Sequence, residues 1–189
     1  SATSCSVQSL VTVGWARSDA GRLKPLLGFG ATQGTIAVCS CLTTLPMPRI
    51  QFDLPERFVF ATDIQIYISH VNQGGHLDNA QLLTLVSEAR VRFFKSLGYT
   101  ELDVDGVGIV VADAAVQYKS EAFHGEILVF EMAPDDFNKY GCDLVWRATD
   151  KASGREVARG KTGIIFFDYQ QRKAAPVPAG FVAKTAPQA

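Results

Sequence analysis

The residues best suited to chemistry crowd into Asn72-Gln73-Gly74-Gly75-His76-Leu77-Asp78-Asn79, with Glu88 a short way beyond. Asp78-Asn79-Ala80-Gln81 carries a capping-box pattern, an N-cap acid with Gln at the third position after it, so a helix begins at Asn79 or Ala80. The first turn of a helix presents unpaired N–H groups and the positive end of its dipole. His76 and Gly75 lie just ahead of that turn, where a developing oxyanion can be received; one well-aimed donor is worth about 3–4 kcal/mol there. His76 reads equally as a turn histidine with a satisfied ring. Asn72 either holds a water or a carbonyl, or closes an Asx-turn, and Asp78 is chiefly a cap. Glu88 is the nearest alternative carboxylate, fit to act as base or nucleophile. It lies on the side of the helix away from the apolar stripe, four residues before Arg92, so a solvated ion pair is an equal reading.

These residues need a scaffold. Leu82, Leu85, Val86, Ala89, Phe93 and Leu97 share one helical stripe, widened by Leu83 and Phe94. The helix runs to Leu97 and stops at Gly98, about 18 residues and about 27 Å. Each large side chain in that stripe gains about 1.5–3 kcal/mol on burial, so the helix must press against a curved surface. Before it, Phe58–Ser69 alternates as a strand; after it come strands at Gly106–Lys119, Glu126–Met132, Cys142–Thr149 and Glu156–Tyr169. The order β-α-β-β-β-β predicts an α+β domain, one long central helix wrapped by a five-stranded antiparallel sheet. The tail past Gln170, with Pro176, Pro178 and Pro187, reads as extended or disordered.

Composition bounds the rest. The chain has 189 residues, 47% hydrophobic and 20% charged, with 18 Lys+Arg against 19 Asp+Glu, enough for one cored domain and an appendage. That balance offers no basic surface for a phosphate backbone, so nucleic acid is an unexpected partner. No run approaches the about 18 apolar residues that cross a bilayer, so no membrane partner is expected. Four cysteines, Cys5, Cys39, Cys41 and Cys142, fit neither a disulfide framework nor zinc spacing; a reducing, cytoplasmic setting without metal is the default. Residues 1–52 hold only five charged side chains, so 1–46 reads as an extension of unknown role, disordered or a targeting peptide, with the folded domain at 47–173 and a tail at 174–189. Within the extension, Gly28–Gly34 loosely matches a dinucleotide fingerprint but lacks the strand before it and the helix after it; a glycine loop is the better reading.

The loop 72–79, the helix segments Ser87-Glu88-Ala89-Arg90 and Phe94-Lys95-Ser96-Leu97-Gly98, and the strand Val111–Tyr118 together resemble the hotdog-fold acyl-CoA thioesterases, in particular the 4-hydroxybenzoyl-CoA thioesterase group. The resemblance spans 53–173. It implies a thioester hydrolase with acyl-CoA or aroyl-CoA as substrate, coenzyme A being part of that substrate rather than a cofactor, and a homodimer or homotetramer with the ligand between subunits. It implies catalytic roles for Asn72, His76 and Glu88, with Gly75, Leu77, Asp78 and Asn79 against the substrate. In the resembled dimer the outer helix face, with Glu88, approaches the partner. The sequence departs at one place. Many members carry Asp where Asn72 stands, and a carboxamide takes no proton at pH 7. A non-catalytic module that binds acyl thioesters is therefore the alternative. A hotdog hydratase is disfavoured because Val71 stands where that branch needs Asp.

Overall fold

A computed structural model describes residues 15–17, 23–25 and 50–186. The chain divides into two units, Ser1–Pro46 and Met47–Ala189. In the first, β1 (Trp15–Arg17) pairs antiparallel with β2 (Leu23–Pro25). The Gly28–Gly34 segment, Cys5, Cys39 and Cys41 lie outside the described residues.

The second unit runs β3 (Phe60–Gln65), α1 (Asn79–Ser96), β4 (Gly108–Tyr118), β5 (Ile127–Asp135), β6 (Gly141–Asp150), β7 (Glu156–Asp168), β8 (Lys173–Ala174) and α2 (Ala179–Thr185). Its sheet has six strands in the order β3-β5-β6-β7-β4, all antiparallel, with β8 pairing β7. The expected count of five is thus short by β8. This two-residue strand takes the side of Phe167 and Asp168 that β6 leaves free, and two residues carry no period for a sequence to show.

Asp78 starts α1: its Oδ1 accepts from the N–H groups of Ala80 (2.8 Å) and Gln81 (3.2 Å), which satisfies two of the orphan donors of the first turn. Gly98 ends it with φ of 78°, the left-handed position that favours glycine. The stripe Leu82, Leu85, Val86, Ala89, Phe93 and Phe94 is buried. One core joins it to Ile64 of β3, Ile109 of β4, Phe130 of β5, Trp146 of β6 and Phe166 of β7. The sheet therefore clasps the helix, and a bulge between Val111 and Asp113 adds local twist where β4 lies on β7. Leu83, placed on the stripe from sequence, is exposed.

The tail departs from expectation. Residues past Pro178 form α2, and Phe181 is fully buried against Phe94, Phe166, Phe93 and Phe137. The prolines mark where α2 starts, with Pro178 as its N-cap residue; they do not keep the tail from folding. Among the described residues, no helix is long and apolar enough to cross a membrane.

Candidate active site

The loop ahead of α1 is built by short-range hydrogen bonds. Asn72 Oδ1 accepts from the N–H of Gly74 (2.8 Å), closing an Asx-turn. The Asn72 carbonyl accepts from Gly75 N–H (3.0 Å) and the Asn72 N–H donates to the His76 carbonyl (3.0 Å). Gly75 turns the chain at φ 82°. Asp78 N–H reaches the His70 carbonyl (2.9 Å), and Leu77 N–H the Ala122 carbonyl (2.7 Å). The last bond ties the loop to the β4–β5 connection, and a bridge pairs His76 with Phe123.

A cavity of about 370 Å³ opens at this end of α1, lined by Asn72, His76, Leu77, Asp78, Asn79 and Leu82 from loop and helix, by Tyr118 and Val157 from the sheet, and by residues 119–122 of the β4–β5 connection. Its floor is apolar, since Leu77, Leu82, Ala122 and Val157 are buried. Its rim is polar. Tyr118 donates its hydroxyl to the Asn79 carbonyl (3.1 Å), anchoring the first helical residue. Gly74 lies so close to the imidazole that an added Cβ would sit 3.0 Å from His76 Nε2.

Of the residues assigned from sequence, the fold brings Asn72, His76, Leu77, Asp78 and Asn79 to one cavity. Gly75 is not among its lining residues, and its N–H is spent inside the turn. A donor without a hydrogen-bond acceptor among the described residues is the N–H of Asn79, first in the helix. Glu88 is likewise not brought to the cavity. It pairs with Arg92 (2.7 Å) on the exposed face of α1, and Arg92 in turn donates to Thr62 Oγ1 (3.1 Å) and the Asp63 carbonyl (2.9 Å). The physical reason is helical phase: the face opposite a buried stripe points at solvent.

Four polar residues of the rim, Tyr118, Lys119, Ser120 and Glu121, escaped the sequence reading. They sit at the end of a strand and in a turn with no spacing of their own. Glu121 Oε1 lies 4.0 Å from His76 Nε2. The only signal for it is the turn that precedes Ala122-Phe123-His124-Gly125, which pairing with the loop places opposite His76.

Three basic side chains away from the cavity are held in ion pairs. Arg90 pairs with Glu101 at 2.6 Å. Arg159 is held by Glu156, whose carboxyl its hydrogen bond keeps below the ordinary range. Lys161 is held by Asp143, whose hydrogen bond raises its amine above the ordinary range. Neither basic residue is free for a phosphate. Burial pushes the Cys142 thiol up to about 12, so it packs as a small hydrophobe. Among the described residues, no group of three His, Cys, Asp or Glu side chains is placed to hold a metal ion.

A model of the thioesterase-like superfamily matches residues 66–185, well over half of the chain. The protein belongs to the thioesterase-like superfamily. It is accordingly a thioesterase, an enzyme that hydrolyses thioesters. The fold agrees. A 1,4-dihydroxy-2-naphthoyl-CoA thioesterase from Synechocystis superposes with a TM-score of 0.62 at 18% identity, covering 68% of this chain and 96% of that one. A gentisyl-coenzyme A thioesterase gives 0.60 at 16% identity, covering 67% and 100%. A thioesterase-superfamily protein from Jannaschia gives 0.62 at 15% identity, covering 69% and 86%. No curated protein matches the chain. This thioesterase has the hotdog fold, its α+β architecture matching theirs.

Proposed function

We propose that this thioesterase hydrolyses acyl-CoA or aroyl-CoA esters, with the thioester carbonyl seated at the leading end of α1 and attacked by water. The observation that carries this reading is that Asn79, whose N–H has no hydrogen-bond acceptor among the described residues, lines a cavity with an apolar floor. As the carbonyl becomes tetrahedral its oxygen gains charge, and a fixed donor at the positive end of a helix dipole stabilises that charge by about 3–4 kcal/mol. The sulfur then leaves as a thiol. The floor of Leu77, Leu82, Ala122 and Val157 accepts the acyl or aryl group, and CoA enters as part of the substrate, with no separate cofactor. An aroyl group is supported by the naphthoyl-CoA and gentisyl-CoA esters named for two proteins of the same fold.

Asn72 keeps the loop in shape through its Asx-turn, and His76 sets the polar wall of the cavity. A second copy of the chain, as homodimer or homotetramer, is proposed to complete the cleft from the outside. A cytoplasmic setting is in keeping with the free, buried Cys142.

The test is free-thiol release by the full chain from a panel of straight-chain and aromatic CoA esters. Turnover of one ester class over the others supports the reading. Binding of CoA esters without any release overturns it in favour of a carrier module, a second reading that Asn72 favours because its carboxamide takes no proton.

A further inference from the structure

We propose, resting on the thioester-hydrolase reading above, that Glu121 in the β4–β5 connection is the general base that takes the proton from the attacking water. Asn72 has no basic atom to offer. Asp78 Oδ1 is spent on the Ala80 and Gln81 N–H groups (2.8 and 3.2 Å). Glu88 is paired with Arg92 away from the cavity.

His76 Nδ1 is engaged within the loop. Asn72 Oδ1 is occupied by Gly74 N–H, which turns Nδ2 toward His76 Nδ1 at 3.4 Å, and the Leu77 carbonyl lies 3.3 Å from the same ring nitrogen. The amide donates and the carbonyl accepts, so these two neighbours fit opposite tautomers, and in both Nδ1 is turned into the loop. The other ring nitrogen, Nε2, faces the Glu121 carboxylate, 4.0 Å away. That separation is electrostatic contact rather than a hydrogen bond, which leaves the carboxylate oxygens open to a water.

The stem that carries Glu121 is held on both sides. Lys119 and Ser120 donate their N–H groups to the Val157 carbonyl (2.8 and 3.2 Å), and Ser120 Oγ donates to the Glu156 carbonyl (2.8 Å). Ala122 is buried, with its carbonyl accepting from Leu77 N–H (2.7 Å). Arg155, ion-paired to Glu126 at 2.9 Å, donates to the Glu121 carbonyl itself. A charged side chain, 67% exposed on a fixed backbone, is thus aimed at the cavity rim beside His76. Among the described residues no hydrogen bond engages its carboxylate.

In the step itself, a water oxygen bonds to the thioester carbon while one of its protons passes to Glu121. The carbonyl electron pair moves onto oxygen, opposite the Asn79 N–H. On collapse the C–S bond breaks, sulfur takes its electron pair, and Glu121 returns the proton to it. The products are a carboxylic acid and free thiol, and the carboxylate is regenerated.

Wild type, Glu121→Gln and Glu121→Ala are compared in the full chain by thiol release across pH, with Tm as a control. We expect Glu121→Gln to lower kcat about 100-fold or more with KM within about threefold. Tm should be unchanged, because an exposed side chain is removed. The acid limb of the kcat/KM profile should vanish in that variant, and added formate should restore turnover to Glu121→Ala. A Glu121→Gln enzyme as fast as wild type, or a slow one that keeps its acid limb while formate restores nothing to Glu121→Ala, overturns the role of Glu121 alone. Wild-type protein that releases no thiol from any ester overturns both this role and the hydrolase reading.

Discussion

The two ends of α1 are made of the same backbone and have opposite fates. At its C-terminal end the Leu97 carbonyl accepts from Lys184 Nζ (2.7 Å), Lys184 lies 3.9 Å over the Tyr99 ring, and α2 seals the end with Phe181. Its N-terminal end is capped by Asp78 but opens on a cavity of about 370 Å³ that Asn79 helps to line. Every helix has orphan groups at both ends. Those sealed by partners support the fold, and those left open in a cavity are available to a ligand. Stability should therefore be concentrated at one end and activity at the other.

The largest expected break in that division is Phe181→Ala. Emptying a fully buried ring among four others should cost about 3–5 kcal/mol, read as a fall in the urea midpoint. Turnover per folded molecule should stay within about twofold, since no atom at the cavity moves. Loss of turnover in a still-folded variant would show that the two ends are coupled. Asp78→Ala should be milder for the fold, about 1 kcal/mol by Tm, yet lower kcat/KM about tenfold because the first turn that holds Asn79 frays. If stability falls while kcat/KM holds, the open helix end is not where the carbonyl binds.

Gly74→Ala sharpens the contrast further. A Cβ 3.0 Å from His76 Nε2 must displace the ring by a few tenths of an ångström. We expect about a threefold loss in kcat/KM with Tm nearly constant, and an unchanged kcat/KM would show that the ring position is immaterial. Smallest of all should be Glu88→Gln. Its exposed pair with Arg92 is worth about 0.3–0.5 kcal/mol, and turnover should remain within about twofold. A loss near 100-fold would place the base on a helix face that only a partner subunit completes.

Much of this was legible in one dimension. Asp78 and Gly98 bracket α1 in sequence as in space, because caps act over a few residues. The strands after it start and stop within a few residues of their periodic patterns, since alternation maps directly onto one buried face. Phe181 was illegible because one aromatic between prolines has no period. Its burial depends on Phe93, Phe94 and Phe166 arriving from α1 and β7. Whether the Gly75 N–H is free has a related dependence, since the turn closes it onto the Asn72 carbonyl.

Local chemistry, then, sufficed for the helix, its cap, and the loop of Asn72 and His76, since these follow from neighbours a few positions apart. Which carboxylate stands beside His76 was settled only by folding. Glu88 is nearer in the chain, but helical phase sends it to solvent, whereas Glu121 is carried across by the bond from Leu77 to Ala122. A hydrogen bond between distant strands and loops has no period and no spacing, so it becomes visible only when the chain has closed.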